Sequence, residues 1–316
     1  MSVLGPLDSS QLGTCLPHEH VISRFGEEPE AHPSYDYAHA TSEIVPYLKY
    51  MKTLGCDSIM CCTAKYFGRD VKLLKMVSES SGMHIIANTG IYGAAKDRYV
   101  PKHAFGASAS EIAKDWIREF EEGIDDTGVR PGFMKIGIDN GELSDIDAKL
   151  VRAGAITHRA TGLTIQVHTG DNVGAVKKQL NILHEEGVSP NAWIWIHAHN
   201  VKDGNDLLTI AEKGAWISLD ALRTVNYYEA RSSVKTTVNR HLELLQLLKK
   251  HDYLGQVLLS HDGSSYPQAG KSKRTFEVLF STFIPMMKAS GFSDEEIDQL
   301  IKKNPVNAFR IHKRLA

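Results

Sequence analysis

The chain has 316 residues, 42% of them hydrophobic and 23% charged, enough apolar side chain to build a sizeable buried core. Its 36 Lys and Arg against 38 Asp and Glu give a formal net charge of −2, which leaves no basic footprint for nucleic acid and favours a small-molecule partner. No apolar run approaches the ~20 residues of a membrane span, and the opening residues have neither a basic segment nor a long apolar one, so the expected location is the cytoplasm with no membrane partner.

Short, apolar, β-branched runs recur along the chain at residues 14–16, 58–62, 84–89, 133–138, 163–167, 193–197, 215–219 and 257–260. Several are apolar at consecutive positions, as parallel strands covered on both faces are. Between them lie stretches of helical period. Residues 109–125 set Ile112, Trp116, Phe120 and Ile124 on one face; residues 229–250 do the same with Val234, Val238, Leu242 and Leu245, and end in Lys249 and Lys250. Strand and helix alternate through the chain, and no glycine-rich nucleotide fingerprint follows the first strand. This predicts an α/β fold closed as a (β/α)8 TIM barrel, with residues 1–316 forming one domain. Near the end, Ser293 and Glu296 spell a capping box, and the apolar residues of 283–287 and 309–311 are expected to dock the tail on the barrel. Cys15, Cys56, Cys61 and Cys62 form no C-x-x-C pair and are read as reduced and buried.

A barrel gathers the C-terminal ends of its strands at one mouth, so reactive side chains placed there are neighbours in space. Here the strand ends carry ligand-type residues repeatedly. The first run leads into Pro17-His18-Glu19-His20, whose i and i+2 histidines point to one side of an extended segment and can grip one ion. Lys135 lies in Gly132-Phe133-Met134-Lys135-Ile136, His168 in Gln166-Val167-His168-Thr169-Gly170, and Asp262 in Ser260-His261-Asp262-Gly263. The sixth run ends in Ile196-His197-Ala198-His199-Asn200 and offers two histidines. Histidines elsewhere, His158 and His241 among them, are read as hydrogen-bonded core or loop residues. An ammonium inside an apolar strand is costly to bury unpaired. Lys135 therefore needs either a carboxylate partner or conversion by CO2 to a carbamate able to bridge two metals. Ser260-His261-Asp262 is not a nucleophilic triad, because consecutive strand residues face opposite ways. Gly270-Lys271-Ser272 is not a P-loop, because the glycine needed five positions earlier is Ser265.

With these residues in view, the chain resembles the phosphotriesterase-like branch of the amidohydrolase superfamily, its lactonases included, over essentially its whole length. The resemblance rests on Gly13-Thr14-Cys15-Leu16-Pro17-His18-Glu19-His20, the lysine of the fourth strand, Val167-His168-Thr169-Gly170, Ser260-His261-Asp262-Gly263, and the closing Asn304-Pro305-Val306-Asn307-Ala308-Phe309. It implies two divalent ions, zinc first among Zn, Mn, Co and Fe. His18, His20 and Asp262 would hold the more buried ion, His168 and His197 the more exposed one, and a carbamate on Lys135 would bridge them. The family's order favours His197, with His199 as the alternative. Two such ions share a hydroxide that attacks the substrate while Asp262, the catalytic residue, accepts the proton.

The resemblance also places substrate contacts. Tyr92, in Thr89-Gly90-Ile91-Tyr92, stands where lactonase-like members keep a tyrosine beside the metals, and Arg223, in Asp220-Ala221-Leu222-Arg223, can meet a polar group. Lys271, Lys273 and Arg274 follow the eighth strand and can hold a phosphate or carboxylate. The expected function is hydrolysis of a small polar lactone, a phosphorylated sugar lactone in particular. The alternatives are a phosphotriester or carboxyl ester, an N-acyl amide, or a non-catalytic ligand-binding barrel. Homodimeric assembly is a further implication of the resemblance.

Overall fold

The computed structural model describes residues 1–223, 237–267 and 271–316. Among them, eight parallel strands follow the predicted runs: β1 (Cys15–His20), β2 (Ser58–Cys61), β3 in two segments (His84–Ile86 and Asn88–Thr89), β4 (Phe133–Gly137), β5 (Thr164–His168), β6 (Trp193–Ile196), β7 (Trp216–Leu219) and β8 (Val257–Leu259). Nearly every strand residue is buried, which is why these runs are apolar without alternating. Each strand pairs with the next in sequence, and the break in β3 at Ala87 is where pairing passes from β2 to β4. Just past β8, Gly263 and Ser264 pair in parallel with Glu19 and His20, and the Asp262 N–H donates to the His18 carbonyl at 3.1 Å. The ring thus returns to β1 as a (β/α)8 TIM barrel.

β1 runs four residues beyond the predicted end at Leu16. Its pairing with β2 slips between Leu16 and Glu19, around Pro17, which has no N–H to give a ladder. The irregularity keeps the strand going through His18 and His20.

The crossover helices are α1 (Tyr37–Thr53), α2 (Val71–Ser81), α3 (Ala109–Glu122), α4 (Asp145–Thr161), α5 (Val173–Glu185), α6 (Asn205–Ala211) and α7 (Val238–Lys250). The side chains of Asp36, Asp70, Ser108, Ser144, Asn172 and Thr237 each accept the N–H three residues on, capping their helices at the mouth end of the barrel. α3 stops at Glu122 rather than at residue 125, because Gly123 takes φ +108°; Ile124 is nonetheless fully buried. For the predicted helix 229–250, residues 229–236 with Val234 lie outside the described residues, while Val238 and Leu245 are buried as expected. The capping box of Ser293 and Glu296 forms, and Asn304 Nδ2 donates to the carbonyls of Leu254 and Val257 at 2.7 and 2.8 Å, fastening the tail beneath β8. All four cysteines are free and buried. Among the described residues, no helix is long and apolar enough to cross a membrane.

Candidate metal centre

The ends of β1, β4, β5, β6 and β8 bring the six sequence candidates together at the mouth. His18 Nε2 lies 3.1 Å from Lys135 Nζ and 3.5 Å from Asp262 Oδ1, and His20 Nε2 lies 3.2 Å from the same carboxylate oxygen. The His197 ring stands 5.2 Å from that of His18 and 4.5 Å from that of His168, centre to centre. His18, Lys135 and His197 are at most 3% exposed.

The other ring nitrogens explain why these imidazoles point inward. Asp220, just past β7, sets Oδ2 at 2.8 Å from His18 Nδ1 and Oδ1 at 2.9 Å from His197 Nδ1, and also accepts from the Ser218 hydroxyl. Thr63 donates its hydroxyl to the Ile22 carbonyl, so it accepts from His20 Nδ1, 2.8 Å away. With Nδ1 protonated on all three rings, each Nε2 turns a lone pair to the shared space, the arrangement a divalent ion needs. His18, His20 and Asp262 fit one ion together. His18, His197 and Asp220 also lie close to one another, but both Asp220 oxygens are committed to Nδ1 atoms, so Asp220 orients ligands rather than serving as one.

The electrostatics suit the same role. Burial, helped by the Lys135 cation, takes His18 down to about 4. Burial lowers His20, and burial with the neighbouring His197 and Lys135 takes His168 well below the usual histidine value, so these imidazoles are neutral near pH 7. Burial works against ionising Asp220 and Asp262. The histidines around Asp220 and the Arg274 guanidinium beside Asp262 outweigh it and hold both carboxyls well below their ordinary range.

Two of the six residues take backbone conformations that side chains disfavour: His197 has φ +63° and Asp262 φ +51°. Such left-handed residues cost about 1–3 kcal/mol each and survive where the surroundings over-determine them. For Asp262 the surroundings are set by Glu19. Its Oε1 accepts from the Ser260 hydroxyl at 2.7 Å and from the His261 N–H at 2.9 Å, its Oε2 accepts from the Gly263 N–H at 2.7 Å, and His261 Nδ1 lies 2.7 Å from Oε1. One buried carboxylate thereby clamps the chain on both sides of Asp262.

His199 lies behind Asp220, its Nδ1 at 3.3 Å from Oδ1 and its ring stacked on His241 at 4.9 Å. Of the two histidines after β6, His197 is the one beside His18 and His168. Tyr92 packs 5.3 Å from the His168 ring and over Gly137, where a Cβ would come within 2.5 Å of the tyrosine ring. Arg223 Nη1 donates to the His261 carbonyl at 2.6 Å, and Arg274 Nη1 stands 3.4 Å from Asp262 Oδ2. Lys273 pairs with Glu43 at 2.6 Å, both side chains roughly half exposed, and Lys271 is exposed. Glu19, Thr63 and Asp220 had no assigned role in the sequence. Glu19 carried a signal of the same kind as Lys135, a charge inside a buried strand.

A barrel with neutral imidazoles, a carboxylate and a buried lysine converging at its mouth has the architecture of a metal-dependent hydrolase. The chain belongs to the phosphotriesterase family, whose model matches residues 1–309. It is 28% identical to the phosphotriesterase homology protein of Escherichia coli, covering 94% of this chain and 98% of that one. It is 27% identical to an aryldialkylphosphatase of Saccharolobus solfataricus, covering 96% of each, and 25% identical to an N-acetyltaurine hydrolase of Rattus norvegicus, covering 96% of this chain and 95% of that one. Its fold matches a mutant organophosphorus hydrolase from Deinococcus radiodurans with a TM-score of 0.87 at 24% identity, covering 98% of this chain and 96% of that one. The chain is accordingly a hydrolase of a binuclear-metal family, which sets aside the non-catalytic barrel.

Proposed function

We propose that this hydrolase opens a small polar lactone, a phosphorylated sugar lactone in particular, using two zinc ions. His18, His20 and Asp262 would hold the inner ion, His168 and His197 the outer one, and Lys135, as a carbamate, would serve both. The observation that carries the reading is the set of imidazoles whose Nδ1 partners, Asp220 and Thr63, fix their tautomer and turn Nε2 inward. A carbamate there would also relieve the burial of the Lys135 ammonium among imidazoles. Bound divalent ions supply a hydroxide at neutral pH and polarise the scissile carbonyl.

The chain does the rest. Asp262, ionised at neutral pH beside Arg274, accepts the proton released as the attacking oxygen bonds to carbon. Tyr92 and Arg223 orient the substrate, and Lys271, Lys273 and Arg274 supply the positive charge for its anionic group. A second reading, hydrolysis of an N-acyl amide bearing an anion, draws support from the rat relative's printed activity on N-acetyltaurine.

The test is a panel of lactones, phosphorylated lactones, phosphotriesters and N-acyl amino acids, assayed with metal-loaded protein and with chelator. Turnover of phosphorylated lactones that chelator abolishes is expected. A metal-free, chelator-insensitive protein sinks the metal reading. Turnover confined to apolar lactones, with KM unmoved when Lys271, Lys273 and Arg274 are removed, sinks the lactone assignment.

A further inference from the structure

The mouth has two walls of different chemistry. After β1, β2 and β3 come Phe25, Phe67, Tyr92 and Tyr99, packed ring against ring: Phe67 lies 5.1 Å from Tyr92, and Phe25 lies 5.8, 6.0 and 5.3 Å from Phe67, Tyr92 and Tyr99. This cluster abuts the ligand side directly, with Phe67 5.8 Å from His20 and Tyr92 5.3 Å from His168. Phe25 leaves 44% of its surface exposed, although the Gly26 N–H beside it is tied to the Tyr99 hydroxyl at 2.5 Å. Phe25 is the exposed edge of a cluster whose other three rings, Phe67, Tyr92 and Tyr99, are buried against the ligand side.

After β7 and β8 come Arg223 and Arg274, and both guanidinium groups converge on Asp262. Arg223 reaches the His261 carbonyl at 2.6 Å and the Asp262 carbonyl at 3.5 Å, while Arg274 reaches the Asp262 carboxylate at 3.4 Å and keeps about a third of its side chain exposed. In a ring of eight strands β3 stands across from β7, which sets Tyr92 and Arg223 on opposite sides of the imidazoles, while β8 adjoins β1 and brings Arg274 to the Phe25 end of the aromatic cluster. We infer that the site takes an acyl compound of two-ended character: an apolar group packs on Phe25, Phe67 and Tyr92, a permanent anion meets Arg223 and Arg274, and the scissile carbonyl lies between. This rests on the hydrolase reading above and not on the sugar-lactone assignment, which offers the aromatic cluster no apolar group.

Four esters whose alcohols are matched in pKa separate the two ideas: short or long acyl chain, crossed with a neutral or a carboxylate-bearing alcohol portion, assayed on metal-loaded protein. The anionic member of each pair is expected to exceed its neutral isostere at least tenfold in kcat/KM, and the long acyl chain to exceed the short one roughly three- to tenfold. In Arg223→Gln and Arg274→Gln the anionic advantage falls below threefold, chiefly through KM, and Arg274→Lys restores part of it. In Phe25→Ala the chain-length advantage alone disappears. Each readout is a ratio within one variant, so loss of overall activity does not obscure it. A sulfonate in place of the carboxylate shows which anion is preferred; either preference supports the two-walled site. Equal rates on neutral and anionic esters overturn this inference while leaving hydrolysis intact. No turnover of any ester, lactone or amide overturns the hydrolase reading, and this inference with it.

Discussion

His18 at the mouth of the barrel and His158 at its base are both almost wholly buried, and burial takes each down to about 4. Their hydrogen bonds differ in kind. His158 Nδ1 donates to the Leu163 carbonyl at 2.8 Å and Nε2 accepts from the Arg314 N–H at 2.8 Å, so both nitrogens are bound to backbone. His18 gives Nδ1 to Asp220 and turns Nε2 to Lys135 and Asp262. A depressed pKa therefore does not separate a ligand from a structural histidine. The direction of the second nitrogen does.

The sharpest way to break this contrast is at the carboxylate that stands beside the Nε2 atoms of both His18 and His20. Asp262→Asn is expected to lower kcat by roughly 10²- to 10⁴-fold, the usual loss on removing a positioned general base, with an unchanged melting temperature of the metal-free protein. Asp262 holds its left-handed turn through backbone bonds to His18 and Glu19 that the substitution leaves in place. A kcat within tenfold of the parent would remove Asp262 from the chemistry.

Glu19→Gln sharpens the comparison from the stability side. An amide keeps the shape but puts a donor where the carboxylate accepts from the Ser260 hydroxyl and the His261 and Gly263 N–H groups. Losing a buried, multiply bonded carboxylate should cost roughly 3 kcal/mol in denaturant unfolding. A loss under about 0.5 kcal/mol, the range of neutral surface changes, would show that Glu19 does not clamp the β8 end. Asp220→Asn should weaken metal binding roughly 10- to 100-fold by calorimetric titration, as removal of a ligand-orienting partner usually does. Unaltered affinity would mean that His18 and His197 are held by packing alone.

The residues that could be read from sequence were those whose type was wrong for their place. An ammonium within Phe133-Met134-Lys135-Ile136 and two histidines closing a buried strand conflict with an apolar barrel interior, and the conflict was itself the signal. Consecutive apolar runs likewise revealed the strands, because both faces of each are covered. Asp220 stayed hidden because its role is a pairing between β7 and residues on β1 and β6, 202 positions from His18. Glu19 was masked by the histidines on either side. His197 was favoured over His199 only through the family's order, because its φ of +63° is announced by no residue pattern. The apolar run ends at Leu16 but β1 continues to His20, because the strand absorbs Pro17 as an irregularity in pairing.

The smallest expected effect lies at the base, where His158 tests whether a buried histidine without a ligand role still titrates against the fold. Its pKa is about 4 when folded and near the ordinary 6.5 when unfolded. As pH falls through 6.5 the unfolded chain takes up a proton that the folded chain refuses. Stability contributed by the neutral ring is thus complete above 6.5 and lost as pH drops toward 4, with a slope of at most about 1.4 kcal/mol per pH unit for one proton. His158→Gln, which keeps a donor and an acceptor but cannot titrate, should flatten the fall in unfolding free energy between pH 7 and pH 5 and leave metal affinity at pH 7 unchanged. The mouth histidines titrate identically in both proteins and cancel in the difference. If the two pH profiles ran parallel, His158 would be taking its proton without disturbing the Leu163 and Arg314 contacts, and the base of the barrel would be looser than its hydrogen bonds indicate.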